Sequence, residues 1–140
     1  TIEHCDVASG TRYHPLSKAV GDPPVDRRRI NEQVTGWIRC VTGWPLTDAF
    51  CGYKVYRVDA LRKLSLQERG PAFPIEFWVQ AWHAGLKVEE VPTPRIYLDA
   101  ARSFGGSLDR PETRLSYYEE VLKESLQRIG HPPLRIRSRR

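Results

Sequence analysis

Methionine is absent from this sequence of 140 residues, cysteine occurs three times, and no long apolar run is present. No apolar stretch approaches the ~18 residues that a transmembrane helix requires, so the sequence predicts none. Cys5, Cys40 and Cys51 are odd in number and lack CxxC spacing, which favours reduced, partly buried thiols in a cytosolic protein. No charged segment followed by an apolar one stands at the front, so nothing indicates secretion. Because the chain starts at Thr1 and has no methionine, we interpret it as a fragment or a processed piece.

The usual short signatures of enzyme sites are missing as well. The sequence has no GxGxxG, GxxxxGK[ST], HExxH or GxSxG motif. Its four histidines are scattered without metal-ligand spacing and are expected to be solvated or hydrogen-bonded. We therefore predict that this chain alone binds no metal.

The charge is distributed unevenly. The 22 Lys and Arg exceed the 17 Asp and Glu by five, but four arginines and no acid lie in the last ten residues, which leaves residues 1–130 at +1 (18 against 17). A nucleic-acid binder needs a basic face rather than a basic tail, so no nucleic-acid partner is predicted. The sequence indicates a domain over 1–130 and a basic, disordered tail over 131–140. Such a tail can contact anionic lipid at a membrane surface, although basic tails are more often only solvated.

Apolar residues make up 40% of the chain and include four tryptophans, enough for one buried core. Hydrophobic periodicity predicts a strand over 5–13 with a sharp bend at Gly10, a strand in GYKVYRV, and an extended edge segment in LKVEEVPTPRIYL. Strands that alternate with helices indicate the α/β class.

Three longer helices and one short one are predicted between these strands. The first has about 17 residues, begins after Pro24, contains Gly36 at a site of close packing, and ends at Gly43. The others are a short helix capped by Asp59, a helix over 74–84, and a last helix. The last helix begins at a capping box of Asp109 and Glu112, with i,i+4 pairs Glu119–Lys123 and Glu124–Arg128.

Two segments place charge beside flexible backbone near strand ends. In SGTRY, Arg12 follows the first strand, where it can clamp a phosphate, although an arginine at a strand exit is more often simply solvated. In TDAFCGY, Asp48 lies in a loop before the next strand. Its ordinary function is to stabilise a turn, and loop carboxylates also line ligand sites.

Two further segments join this set of candidates. Glu76 lies near the start of the helix over 74–84 among aromatic residues, where the helix dipole stabilises a carboxylate and an apolar setting can convert it into a general base. The segment RSFGGS, from Arg102 to Ser107, is either a plain flexible linker or a mobile loop that closes over an anion.

Taken in order, the segments DVASGTRY, RRRIN, LTDAFCGYKVYRVDAL, PIEFWVQAWHAGLKVEEVP and RSFGGS resemble the second half of a family 2 glycosyltransferase of the dolichyl-phosphate mannose synthase type, over residues 5–125. The resemblance implies the acceptor-side half of a GT-A (Rossmann-like) domain with flanking helices. It also implies an inverting transfer of sugar from a nucleotide-sugar donor to a lipid phosphate or another hydroxyl or phosphate acceptor.

The resemblance also implies site residues. Arg12 matches the arginine of the family's G-S-R segment, which approaches the acceptor phosphate. One of the arginines at 27–29, with Arg29 favoured by its spacing to Asn31, matches the arginine that opens the next helix. The remaining matches are Asp48 in the D-x-x-S-G-F segment and Glu76 as candidate catalytic base, together with Arg102 and Ser107 in the R-x-x-G-x-S loop.

The half of the family's domain that binds the nucleotide and holds Mg²⁺ or Mn²⁺ through Asp-x-Asp has no counterpart in this sequence. We therefore expect metal only together with that half, and no catalysis by this chain alone. The alternative is a non-catalytic binding or regulatory module that retains the fold. A weaker alternative, a nucleic-acid module that depends on the arginine tail, predicts that deleting 131–140 abolishes nucleic-acid binding.

Overall fold

The computed structural model describes residues 3–99 and 101–135. Its strands are β1 (Val7–Thr11), β2 (Ala19–Val20), β3 (Lys54–Tyr56), β4 (Val88–Pro92) and β5 (Arg95–Ile96). Its α-helices are α1 (Val25–Thr42), α2 (Val58–Leu61), α3 (Phe73–His83) and α4 (Pro111–Arg128), and a 3₁₀-helix over Gly106–Asp109 precedes α4. This mixture of helices and a small mixed sheet is compatible with the predicted α/β class, whereas the finer GT-A assignment stays a prediction.

The larger sheet has the order β3-β1-β4. Strand β1 pairs antiparallel with β3 and parallel with β4, so Ala8 faces Val55 on one side and Glu89 on the other. Strand β4 lies at an edge, as its prolines predict. A separate parallel pair joins β2 to β5, with Val20 beside Ile96.

The bend predicted at Gly10 is wrong, because Gly10 is an ordinary residue of strand β1. Its lack of a side chain serves close packing instead of a turn. A Cβ at this position would lie 2.8 Å from Cγ2 of Thr93 and 2.9 Å from the carbonyl oxygen of Tyr53. Strand β1 therefore continues straight to Thr11, and Arg12 follows directly at its carboxyl end.

The first predicted helix is confirmed as α1, which has 18 residues. Its buried face carries apolar residues at helical spacing, with Ile30, Val34, Ile38 and Val41 in the core. The helix ends at Gly43, which has φ +72° and donates its N–H to the carbonyl oxygen of Arg39.

Gly36, within α1, does not lie at the site of close packing that was predicted. A Cβ built on it would meet no atom within 4 Å. We therefore expect Gly36→Ala to raise the free energy of unfolding by about 0.5–1 kcal/mol, because alanine loses less backbone entropy on folding than glycine. Urea denaturation measures the change, and a destabilised variant would show that the helix needs glycine here.

Helices α2 and α4 begin differently from the predictions. The short helix α2 has Arg57 at its N-cap, so Asp59 lies inside it instead of capping it. At α4 the N-cap is Arg110 and no side chain caps the helix. The carboxylate of Asp109 instead accepts hydrogen bonds from the hydroxyl of Ser103 and the N–H of Phe104, so the predicted capping box does not form.

One of the two ion pairs predicted on α4 is present. Lys123 lies 2.6 Å from Glu119, whereas Arg128 turns away from its own helix and binds Glu76. Beyond α4, the ring of His131 packs edge-on against Trp82. Of the tail over 131–140 for which disorder was predicted, residues 136–140 lie outside the described part. No helix among the residues that the structure describes is long and apolar enough to cross a bilayer.

Candidate functional site

A cavity of about 730 Å³ lies beyond the carboxyl end of β1. It is bounded by the start of α1, the segment after β5, the loop before the 3₁₀-helix, and the first turns of α4. Among the described lining residues there are four arginines and one carboxylate, which belongs to Asp99. The four arginines are Arg12, Arg27, Arg102 and Arg114.

The rest of the cavity wall is largely apolar or aromatic. Ile30 and Phe50 come from the core side and Tyr118 from α4, while Ile96 and Leu98 come from the outer segment. Phe50 and Tyr118 are in ring contact, with centroids 4.9 Å apart. The cavity therefore combines a positive end with a surface suited to hydrocarbon.

Arg12 is held in place by Asp48. Its Nε and Nη2 donate to the two carboxylate oxygens at 2.7 and 3.0 Å, and its backbone N–H donates to the same carboxylate at 3.1 Å. The Asp48 side chain is fully buried, whereas a quarter of the Arg12 side chain is exposed. Asp48 therefore positions Arg12, and only Arg12 of the two lines the cavity.

The pKa values of this pair reflect the balance between burial and attraction. Burial alone would raise the pKa of Asp48, but the hydrogen bonds and charge of Arg12, with the Asn31 amide, lower it below its ordinary value. Burial likewise opposes the charge of Arg12, and the hydrogen bonds and charge of Asp48 nevertheless raise the Arg12 pKa. Both groups are thus charged at neutral pH.

Asp48 is fixed in turn by neighbouring elements. Asn31 of α1 donates to it at 2.8 Å and receives a hydrogen bond from Thr35, whose hydroxyl also accepts the N–H of Ala49. From the other side, the carboxylate of Glu90 accepts the backbone N–H groups of Thr47 and Asp48. The loop before β3 is therefore rigidly supported from both α1 and β4.

Tyr13 forms a second cluster beside Arg12. The guanidinium of Arg28 lies 3.7 Å from its ring centroid, and those of Arg12 and Arg95 lie at 5.6 Å. Burial, and next its neighbour Tyr97, raises the pKa of Tyr13 to about 12, so the phenol is neutral at physiological pH. The ring stabilises the guanidinium groups by cation–π attraction.

Phe104 contacts two further arginines of the cavity, Arg27 and Arg114. Its ring centroid lies 4.7 Å from the guanidinium carbon of Arg27 and 4.4 Å from that of Arg114. Arg114 is buried, donates to Asp26 at 2.7 Å and to the carbonyl oxygen of Leu108 at 2.9 Å, and so links α1, the 3₁₀-helix and α4.

The residues predicted from the sequence are distributed unevenly around this cavity. Arg12 and Arg102 line it, and Asp48 lies directly behind Arg12. Arg29 is exposed on α1 and does not line the cavity, where Arg27 takes its place. Ser107 is exposed in the 3₁₀-helix and is likewise not part of the lining.

Glu76 lies outside the lining as well. Its carboxylate is 1% exposed and accepts the backbone N–H groups of Gln67 and Glu68 at 2.7 to 3.1 Å. Arg128 donates to it at 2.6 Å and Gln80 at 3.4 Å. With these partners the carboxylate organises the loop before α3. Its role as catalytic base stays a prediction, and the function proposed below does not use it.

Three contributors to the cavity went unrecognised in the sequence: Tyr13, Phe104 and Arg114. One signal was available for Arg114, because it lies one helical turn before Tyr118 and therefore on the apolar face of α4. Aromatic residues beside arginines gave no comparable signal, since their partners come from distant segments.

The side chains that could bind a divalent cation do not cluster in the described residues. Within residues 3–99 and 101–135, no group of three or more His, Cys, Asp or Glu side chains lies close enough to hold a metal ion. Mg²⁺ and Mn²⁺ bind mainly to carboxylate oxygens and water, so the described residues do not fit such an ion.

The chain is similar to the undecaprenyl-phosphate mannosyltransferase of Micrococcus luteus, a family 2 glycosyltransferase, with 30% identity over 94 residues. The matched part is 65% of this chain and 38% of that protein, so the chain spans well under half of its relative. No family model matches the sequence, and no solved structure matches it. The partial similarity supports a glycosyltransferase-related function for this chain.

Proposed function

We propose that this chain forms the acceptor-binding part of an inverting glycosyltransferase, and that its cavity holds a lipid-linked phosphate. The observation that carries the proposal is the cavity of about 730 Å³, which four arginines line beside an apolar wall. Arg12 is already paired with Asp48, and Arg114 with Asp26. Arg27 and Arg102 therefore supply the positive charge that is not balanced by such a pair within the described residues. A phosphate on a hydrocarbon chain matches both features, because its anionic end suits the arginines and its chain suits the apolar wall. The similarity to a mannosyltransferase whose name includes undecaprenyl phosphate supports the same substrate class.

The arginines supply the binding for the anionic end. Asp48 holds the Arg12 guanidinium at the rear of the cavity, and Phe104 packs against those of Arg27 and Arg114. The guanidinium N–H groups that these partners leave free can donate to phosphate oxygens, and guanidinium groups that are already held by neighbours lose less entropy on binding.

A phosphate acceptor also suits the scarcity of carboxylates in the described part of the cavity lining. The second pKa of a phosphate monoester is about 6, so its oxygen is already a nucleophile at neutral pH. Asp99 is the one carboxylate among the described lining residues, and Glu76 is engaged elsewhere. An alcohol acceptor would need a base to remove its proton, which makes it the less suitable substrate.

The nucleotide-sugar donor, with its Mg²⁺ or Mn²⁺, is assigned to polypeptide other than the residues described here, because their carboxylates form no metal-binding group. The same observation favours a second candidate function, a non-catalytic module that only binds the anion. Sugar transfer assayed with a longer polypeptide that includes a donor-binding part distinguishes the two, because the module predicts no turnover there.

The adjacent arginines of α1 provide the test of the cavity. Arg27→Gln removes a charge from the lining and is expected to weaken binding of a short-chain isoprenyl monophosphate about tenfold, as measured by calorimetry. Arg29→Gln removes the same charge from an exposed position two residues away and is expected to change the affinity less than about twofold.

The outcome also decides between two assignments. A loss with Arg29→Gln but not with Arg27→Gln would support the arginine favoured by sequence spacing and would remove the cavity from the proposal. The corresponding isoprenyl alcohol, which lacks the phosphate, is the ligand control and should bind weakly to every variant. Equal binding of alcohol and phosphate would contradict recognition of the anion.

A further inference from the structure

Three apolar side chains form an exposed patch at the mouth of the cavity, which we call the apolar rim: Val20, Ile96 and Leu98. They are 53%, 58% and 86% exposed. Val20 and Ile96 are register partners in the β2–β5 pair, and Leu98 follows Ile96 by two residues. Ile96 and Leu98 also line the cavity, so the rim is continuous with its apolar wall.

Backbone hydrogen bonds fix the position of the rim. Arg95 donates its N–H to the carbonyl oxygen of Lys18, and Tyr97 donates to that of Val20, which fixes the two short strands side by side. Arg95, which precedes Ile96, contacts Tyr13, and Tyr97 lines the cavity together with Ile96 and Leu98. Pairing of the two strands places Val20 beside Ile96, so the exposed apolar side chains have a defined position next to the cavity.

Basic residues lie next to the rim. Lys18 is exposed beside β2, and Arg102 is exposed where the loop before the 3₁₀-helix borders the cavity. Two acids lie nearby: Asp22, which is 3.8 Å from Arg95, and Asp99, which accepts the N–H of Ala101. Exposed apolar side chains with adjacent cations are the composition of surfaces that insert shallowly into a lipid interface.

We propose that the apolar rim docks on the surface of a lipid bilayer that contains anionic lipids, with the mouth of the cavity facing the headgroups. This inference rests on the proposed function. If the cavity holds a lipid-linked phosphate, its hydrocarbon must leave across Ile96 and Leu98, and it stays in the bilayer only when these residues touch the membrane.

The continuity of the apolar rim with the cavity wall favours a bilayer over a protein partner. A protein docked on the rim would close the mouth of the cavity, whereas a bilayer supplies the hydrocarbon that the apolar wall accommodates. The proposal also differs from the membrane contact predicted from the sequence, which assigns that contact to the basic tail over 131–140. Here the contact is made by β2, β5 and the residues that follow them.

Vesicle co-sedimentation tests the docking. With vesicles of phosphatidylcholine containing about one third phosphatidylglycerol, Val20→Ser with Leu98→Ser should weaken binding about tenfold or more, because two apolar side chains no longer leave water. The matched control is Val55→Ser with Val58→Ser, which alters side chains of 51% and 64% exposure on β3 and α2, and it should leave binding unchanged. Lys18→Gln should weaken binding about fivefold on these vesicles and not on phosphatidylcholine alone.

Three results would overturn the docking proposal. The first is wild-type protein that does not sediment with the vesicles, and the second is an equal loss of binding in the rim and control variants. The third is binding that is abolished by deleting residues 136–140 and unaffected by the rim variants.

Calorimetry with a soluble phosphate monoester without a hydrocarbon chain distinguishes failure of the docking proposal from failure of the proposed function. Monoester binding that depends on Arg27 but not on the rim leaves the cavity assignment intact. Absence of monoester binding overturns the proposed function, and the docking proposal with it.

Discussion

Arg12→Ala is expected to lower the free energy of unfolding by about 3 kcal/mol. The substitution leaves the carboxylate of Asp48, which is fully buried, without the cation that donates to both of its oxygens. Removing one partner of a buried ion pair costs about 3–5 kcal/mol, and the exposed quarter of the Arg12 side chain places this case at the lower end. Guanidinium-induced unfolding at pH 7 measures the loss.

The pH dependence supplies a second readout. In the native protein the pKa of Asp48 is lowered, so its contribution to stability is present above the unfolded value of about 3.9 and disappears as the pH falls through the folded value. In the variant, burial acts without Arg12 and raises that pKa. The difference between the two proteins should therefore shrink between pH 7 and pH 4.

Arg28→Gln is the matched control for this experiment. It removes an arginine from the neighbouring pair with Glu32, in which both side chains are substantially exposed, and should cost less than about 1 kcal/mol apart from any contribution of Tyr13. A loss for Arg12→Ala no greater than that of Arg28→Gln, or a difference independent of pH, would show that the ion pair with Asp48 contributes little.

Glu76→Gln is expected to destabilise the protein by about 2–4 kcal/mol. A glutamine keeps one oxygen for the N–H groups of Gln67 and Glu68, but its amide nitrogen then faces a donor, and Arg128 loses its counter-charge. The measurement is equilibrium denaturation, with Glu119→Gln as control, since that carboxylate forms an exposed ion pair on α4 and should cost less than about 1 kcal/mol.

The same variant also tests the catalytic role predicted for Glu76. In an active enzyme that contains this chain, a structural role predicts that turnover at a temperature well below unfolding falls little and keeps its pH profile. A general base predicts the opposite: unchanged stability, a large loss of kcat, and the loss of one limb of the pH profile.

Local patterns predicted the helices because the necessary information lies within each helix. The stripe of Ile30, Val34 and Ile38 identifies the buried face of α1 from spacing alone, and Gly43 marks its end. The length of α1 and the positions of α3 and α4 were therefore predicted to within one or two residues.

Two of the wrong predictions, those for Asp109 and Arg128, share one physical cause, which is competition from partners outside the helix. Asp109 has the right spacing for a capping box, but Ser103 and the N–H of Phe104 bind its carboxylate instead. Arg128 has the right spacing to pair with Glu124, but a fully buried carboxylate on α3 offers a stronger field than an exposed one on α4. Spacing rules count neighbours on one element and cannot include those competitors.

The candidate site was predicted in part for the same reason. The sequence singled out Arg12 and Asp48 separately, because each lies in a loop beside a strand, but it did not show that they bind each other across 36 residues. The choice of Arg27 over Arg29 as a lining residue depends on the rotation of α1 relative to α4, and the packing of the whole core determines that rotation.

The parallel pairing of β1 with β4 has a consequence for how the protein reaches its native state. The hydrogen bond from Lys87 to Asp6 at the start of this pair closes a loop of 81 residues. The entropy of such a closure is lost before the pairing can compensate for it, so we expect the pairing of β1 with β4 to form late and slowly in folding. Arg12 lies at the end of the same strand, so a phosphorylated ligand can bind only after this pairing has formed. We therefore expect the ligand to stabilise the folded protein without accelerating its folding.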